Sequence, residues 1–209
     1  MPQISKVPWG VNSELLLIPA ESIEEGGFHI FHPFLLAVGT VEIRKNFGLL
    51  IQVVQLAEEM QIEIPLIVIV GKAGWGTEDL RSQLANNEHL EGRVLWLENV
   101  SDSELISLYR RCEALLSPSF VEGYGLPIVE SQIFAKKLIL SDIPIYRELF
   151  PSAQFASPFD PKAWLDLVLK IPNFPIPSFH VFSWNEVANI FRSEVEEKLS
   201  VSISPRSFG

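Results

Sequence analysis

The feature that most constrains this chain is an alternation. Short, continuous apolar runs rich in Val, Ile and Leu recur along it, each followed by a turn and then a capped or amphipathic stretch. The runs stand at Phe34–Thr40, Pro65–Gly71, Arg93–Leu97, Ala114–Ser117, Leu138–Ser141 and Ala153–Ala156. Runs this short and unbroken predict strands buried on both faces, as parallel strands are. Between them the sequence predicts helices from Phe47 to about Met60, Thr77 to about Asn86, Ser101 to Arg111, Pro127 to about Ala135 and Pro144 to Leu149. Two more run from Asp160 to about Ile171 and from Ser183 to about Leu199. Ser101 with Glu104, and Ser183 with Glu186, read as capping boxes, and Asp160-Pro161 as an N-cap followed by a first-turn proline. Strands alternating with helices give an α/β fold, a doubly wound parallel sheet covered on both faces. Ligands of such sheets sit beyond the carboxyl ends of the strands, near the reversal of strand order. The loops at 40–46, 71–76, 97–100 and 118–126 all follow strands, so topology alone gathers them on one edge.

Two of those loops carry chemistry. In the fourth, Glu122 precedes Gly123, Tyr124 and Gly125, Pro127 opens a helix, and Glu130 lies in its first turns. Glycines permit a tight turn and let a ligand approach backbone N–H groups. Those groups and the helix dipole suit an anion such as phosphate, and the flanking carboxylates suit sugar hydroxyls. In the first loop Thr40 is followed by Arg44 and Lys45. Alone, these two read as solvated loop charges; paired with the glutamate loop, they become candidates for gripping an anion. The string around Ser101 and Glu104 is better read as a cap than as a metal site. His29, His32, His89 and His180 have no metal-ligand spacing.

The pattern Glu122, seven residues, Glu130, with Gly-Tyr-Gly-Leu-Pro between, resembles the signature of the retaining glycosyltransferases of family 4 (glycosyl transferases group 1), which have the GT-B fold. The resemblance covers roughly residues 34–199. It is strongest at 39–46 and 116–142, the latter including Ser141-Asp142-Ile143-Pro144, with Arg147-Glu148 just beyond. It implies the Rossmann-like, nucleotide-sugar-binding C-terminal half of such an enzyme. Pro8-Trp9-Gly10-Val11 resembles the family's interdomain hinge, although on its residues alone it reads as well as a surface loop. The expected organisation is therefore a hinge-like segment at 1–33, the binding domain at 34–199 and a tail at 200–209.

The resemblance also implies roles. Lys45, helped by Arg44, would hold the donor diphosphate; Thr40 stands where many relatives carry Arg. Glu122 would orient the donor sugar, and Glu122 and Lys45 would be the catalytic pair. Backbone N–H groups of Gly123, Tyr124, Gly125 and Leu126 would hold sugar or phosphate oxygens. Glu130 would accept from the ribose, and the backbone up to Val100 would receive the base. The implied reaction is retaining sugar transfer to an acceptor hydroxyl with no cofactor and no metal. The family's acceptor-binding domain normally precedes the hinge and is not in these residues. The expectation is a fragment, or a chain completed in trans, whose last helix exposes Val187, Ile190 and Phe191.

Composition narrows the alternatives. A net charge of −10 argues against nucleic-acid partners and anionic membrane surfaces. The single Cys112 rules out an internal disulfide and fits a reducing compartment. With no signal-peptide pattern and no apolar run near ~18 residues, a cytoplasmic protein is expected. A non-catalytic binding subunit or inactive remnant is the main rival, and a nucleotide-sugar epimerase a weaker one. No Gly-x-Gly-x-x-Gly follows the first strand, which disfavours a dehydrogenase.

Overall fold

The computed structural model describes residues 8, 10, 30, 33–86, 90–177 and 180–203. The hinge-like segment therefore lies largely outside the described residues, as do 204–209 of the tail. Six parallel strands form one sheet: β1 (Phe34–Val38), β2 (Leu66–Val70), β3 (Val94–Leu97), β4 (Ala114–Ser117), β5 (Lys137–Ser141) and β6 (Gln154–Ala156). Their order is β3-β2-β1-β4-β5-β6. The chain thus builds outward from β1 in one direction, then returns to the other side of β1 with β4. That reversal is what sets the β1 and β4 exit loops side by side, with Leu36 in register with Leu115.

Period-two alternation divides the strand side chains between two cores. On one face Leu35, Ala37, Ile67, Ile69 and Leu116 pack under α1 (Gly48–Glu59) and α6 (Pro161–Val168), where Trp164 is fully buried. On the other, Phe34, Leu36, Val68, Leu115 and Leu140 meet α3 (Asp102–Arg111), α4 (Leu126–Ile133) and α5 (Pro144–Leu149). This is the expected doubly wound, Rossmann-like α/β fold. Helix α2 (Glu78–Asn86) joins the first core through Leu80.

Local chemistry sets the helix ends. In α3 the Ser101 hydroxyl accepts from the Glu104 N–H while Glu104 accepts from the Ser101 N–H, so two otherwise orphaned donors are satisfied. The same reciprocal pair, Ser183 and Glu186, starts α7 (Trp184–Ile203). Asp160 caps α6 through the Ala163 N–H. Helix α6 stops at Val168, before the expected Ile171, and a 3-10 turn over Ile171–Asn173 follows, because Pro172 lacks the N–H that would continue the α-helix. Helix α7 runs on to Ile203. Its Phe191 is exposed as expected, but Val187 and Ile190 are half-buried, and Trp184 and Val195 are exposed instead. Among the described residues no helix is long and apolar enough to cross a membrane.

Candidate functional site

The site is assembled where strand order reverses. Beyond β1, Gly39 has φ +144, and a Cβ there would lie 3.0 Å from Cε of Lys45. The lysine stem thus lies close across the glycine, and the positive φ is one that residues with a Cβ rarely adopt. A 3-10 turn over Ile43–Lys45 follows and ends at Asn46 in the left-handed conformation, which Asn tolerates well. The Asn46 amide donates to the carbonyls of Pro118 (3.1 Å) and Pro158 (2.8 Å). The Phe120 N–H donates to the Arg44 carbonyl at 2.9 Å. These bonds bind the β1 loop to the loops after β4 and β6, and so fix where the cations point.

Lys45 is only 6% exposed. Its Nζ donates to Oε2 of Glu122 at 2.6 Å, while Arg44 Nη1 reaches both Glu122 oxygens at 3.2 and 3.3 Å. Arg44 also pairs with Glu42. Burial by itself pushes the Glu122 carboxyl up. The Lys45 hydrogen bond and charge, the Gly123 N–H and the Arg44 charge together outweigh it and hold the group below its ordinary range. Glu122 is therefore a carboxylate lodged between two cations, a contact that the role expected for it does not include.

Thr40, Arg44, Lys45, Glu122, Tyr124, Gly125 and Leu126 line one open pocket with Gly39 and Pro127. Gly125, at φ +84, caps the N-terminus of α4, and a Cβ on it would meet Ile128 at 2.9 Å. Gly123 differs: its φ is not positive and a Cβ there would point into open space. The fold itself therefore makes no demand for glycine there, and Gly123 is not among the residues that line the pocket.

Val100 and Glu130 do not line this pocket. Val100 packs against the second core between β3 and α3. Glu130 projects from α4 toward α3, where its Oε2 accepts from the Tyr109 hydroxyl at 2.9 Å. Burial raises the Glu130 carboxyl above its ordinary range; the Tyr109 bond lowers it, and the Asp102 charge raises it further. Asp102 opens α3 immediately after the Val100 loop, so the two residues expected on the nucleoside share one side of the site. Tyr109, Asn46 and the Phe120–Arg44 bond were not anticipated. One signal was available: a tyrosine on the apolar face of a helix needs a partner for its hydroxyl. Among the described residues no group of three or more His, Cys, Asp or Glu could hold a metal ion.

The family model for "Glycosyl transferases group 1" matches residues 23–174, which includes both site loops. The chain belongs to that family. Over 119 residues it is 36% identical to the serotype-specific mannosyltransferase WbdA of Escherichia coli, covering 56% of this chain and 14% of WbdA. Over 171 residues it is 28% identical to the O-antigen chain mannosyltransferase RfbU of Salmonella typhimurium, covering 80% of this chain and 47% of RfbU. It thus spans less than half of either relative. Its fold matches that of a sucrose-phosphate synthase from Thermosynechococcus elongatus with TM-score 0.73 at 19% identity, over 93% of this chain and 52% of that one. The group 1 chain is accordingly the Rossmann-like C-terminal half of the GT-B architecture.

Proposed function

We propose that this chain binds a nucleoside-diphosphate sugar and supplies the donor side of a retaining, metal-independent transfer of that sugar to an acceptor hydroxyl. The names of its relatives favour mannose as the sugar. The observation that carries the reading is the meeting of Lys45 and Arg44 with Glu122 beside the N-terminus of α4, at the reversal of strand order. Two cations and a helix N-terminus on one small pocket suit a diphosphate. An incoming diphosphate would compete with Glu122 for Lys45 and Arg44, and the freed carboxylate would accept from the sugar's hydroxyls. Donor binding and sugar orientation are then one event.

In the transfer, the bond between the anomeric carbon and the diphosphate oxygen breaks with its electron pair going to that oxygen. Lys45, Arg44 and the α4 N-terminus stabilise the charge that grows there. The acceptor hydroxyl attacks the same face of the sugar and its proton passes to the departing phosphate. Glu130 accepts from the ribose, and the backbone near Val100 faces the base. The acceptor's own binding surface is supplied by another domain or chain. The competing reading is a donor-binding subunit without turnover.

Calorimetry with UDP, GDP and ADP and their mannose conjugates, with and without EDTA, tests the binding. At least one diphosphate should bind, unaffected by EDTA. No heat from any of them at millimolar concentration overturns the proposal, and turnover by the chain excludes the subunit reading.

A further inference from the structure

We infer that Tyr109 is the positioning residue for Glu130, and that the pair makes the site select a ribonucleotide over its deoxy counterpart. This rests on the reading of Glu130 as the ribose acceptor.

Tyr109 is 2% exposed, at the base of the second core. Its ring stacks on Phe134 just past the end of α4, with centroids 5.8 Å apart and planes 12° from parallel. The ring therefore has one orientation, and its hydroxyl is delivered from inside the protein to Oε2 of Glu130. A buried hydroxyl must find a partner, and this one finds a carboxylate on the next helix. A carboxylate has two oxygens and accepts only. With Oε2 taken from the core side, and no other hydrogen bond to Glu130 among the described residues, Oε1 is left to accept from a ligand. Fixing one oxygen also fixes the plane of the carboxylate, which on a free glutamate turns about its last torsion. Pre-set acceptors bind better than ones that must be ordered on binding. The Asp102 charge nearby disfavours an ionised Glu130, and the Tyr109 hydroxyl opposes that effect. A ribose presents hydroxyls to such an acceptor; a dideoxyribose presents none.

The test is calorimetry of the 209-residue chain with UDP, GDP and ADP and with the 2′,3′-dideoxy form of each. Wild type should prefer the ribonucleotide by about tenfold or more, the size of one charge-assisted hydrogen bond. Glu130→Gln should bring that ratio close to one. Tyr109→Phe, which keeps the ring and its stack, should shrink the ratio at least threefold, and the double variant should match Glu130→Gln alone. Phe134→Leu, which removes one wall of the stack but keeps the hydroxyl, should shrink the ratio less than Tyr109→Phe does. A wild-type ratio in Tyr109→Phe, or an equal loss in Phe134→Leu, overturns the role of Tyr109. A wild-type ratio in Glu130→Gln overturns the ribose reading beneath it. A second readout uses wild-type chain labelled at the Cζ carbons of its three tyrosines. The Tyr109 signal, assigned by its absence from the Tyr109→Phe spectrum, should move with the ribonucleotide and not with the dideoxy form; no movement with either overturns the inference.

Discussion

Glu122 shows how one side chain can belong to two arrangements. It neutralises Lys45, which at 6% exposure would otherwise be a nearly buried cation without a partner. Lys45→Ala should weaken diphosphate binding about tenfold or more, measurable by calorimetry with the bare nucleotides. Glu122→Gln should lower affinity for the sugar conjugate while leaving the bare nucleotide as tight or tighter, because it removes a competitor for the cations. Equal losses of bare-nucleotide affinity in Glu122→Gln and Glu130→Gln would refute that division of roles. The Glu122 pKa also carries a pH signature. Its folded value lies below the ordinary 4.5, so its contribution to stability is present above pH 4.5 and is lost as pH falls through the folded value. Melting curves by circular dichroism should show Glu122→Gln less stable than wild type at pH 7, with the gap closing as the pH drops below 4.5. A gap that stays constant down to acid pH would mean the ion pair does not contribute.

At the scale of elements, what was legible followed from local chemistry. The capping box at Ser101 and the Asp160 cap are complete within a few residues, so no distant contact is needed to see them. Ser101→Ala should cost about 1 kcal/mol of stability, read from urea unfolding. The 3-10 turn at Ile43–Lys45 had no such signal: three residues are too few for a periodic pattern. It forms because Asn46 and Phe120 bond across to neighbouring loops. Gly39→Ala tests how closely that loop is held. It places a Cβ 3.0 Å from the Lys45 stem at φ +144, so it should destabilise the fold by about 1–3 kcal/mol and weaken diphosphate binding as Lys45→Ala does. Unchanged binding in a folded Gly39→Ala variant would show that Lys45 has another path into the pocket.

At the scale of the whole molecule, the doubly wound sheet places donor chemistry on one edge, and transfer also requires an acceptor held in reach. Such positioning is worth about 7–11 kcal/mol of barrier. The 209-residue chain alone should therefore bind donor yet transfer sugar to an added acceptor only at background rate, as followed with a radiolabelled donor. Efficient transfer would show that this chain holds both sides. The sequence alone determined the β-α alternation, the capped helix starts, the apolar strands and the family signature from Glu122 to Glu130, because each is written in neighbouring residues. It also placed the strand-exit loops on one edge, since that follows from chain direction in any parallel sheet. Only the tertiary structure decided that β4 pairs with β1, so that Glu122 falls between Lys45 and Arg44 across 77 and 78 residues of sequence. It likewise decided that Glu130 turns from the Lys45 pocket to Tyr109, 21 residues away. A carboxylate and the group that will hold it carry no pattern joining them until strand order brings their loops and helices into contact.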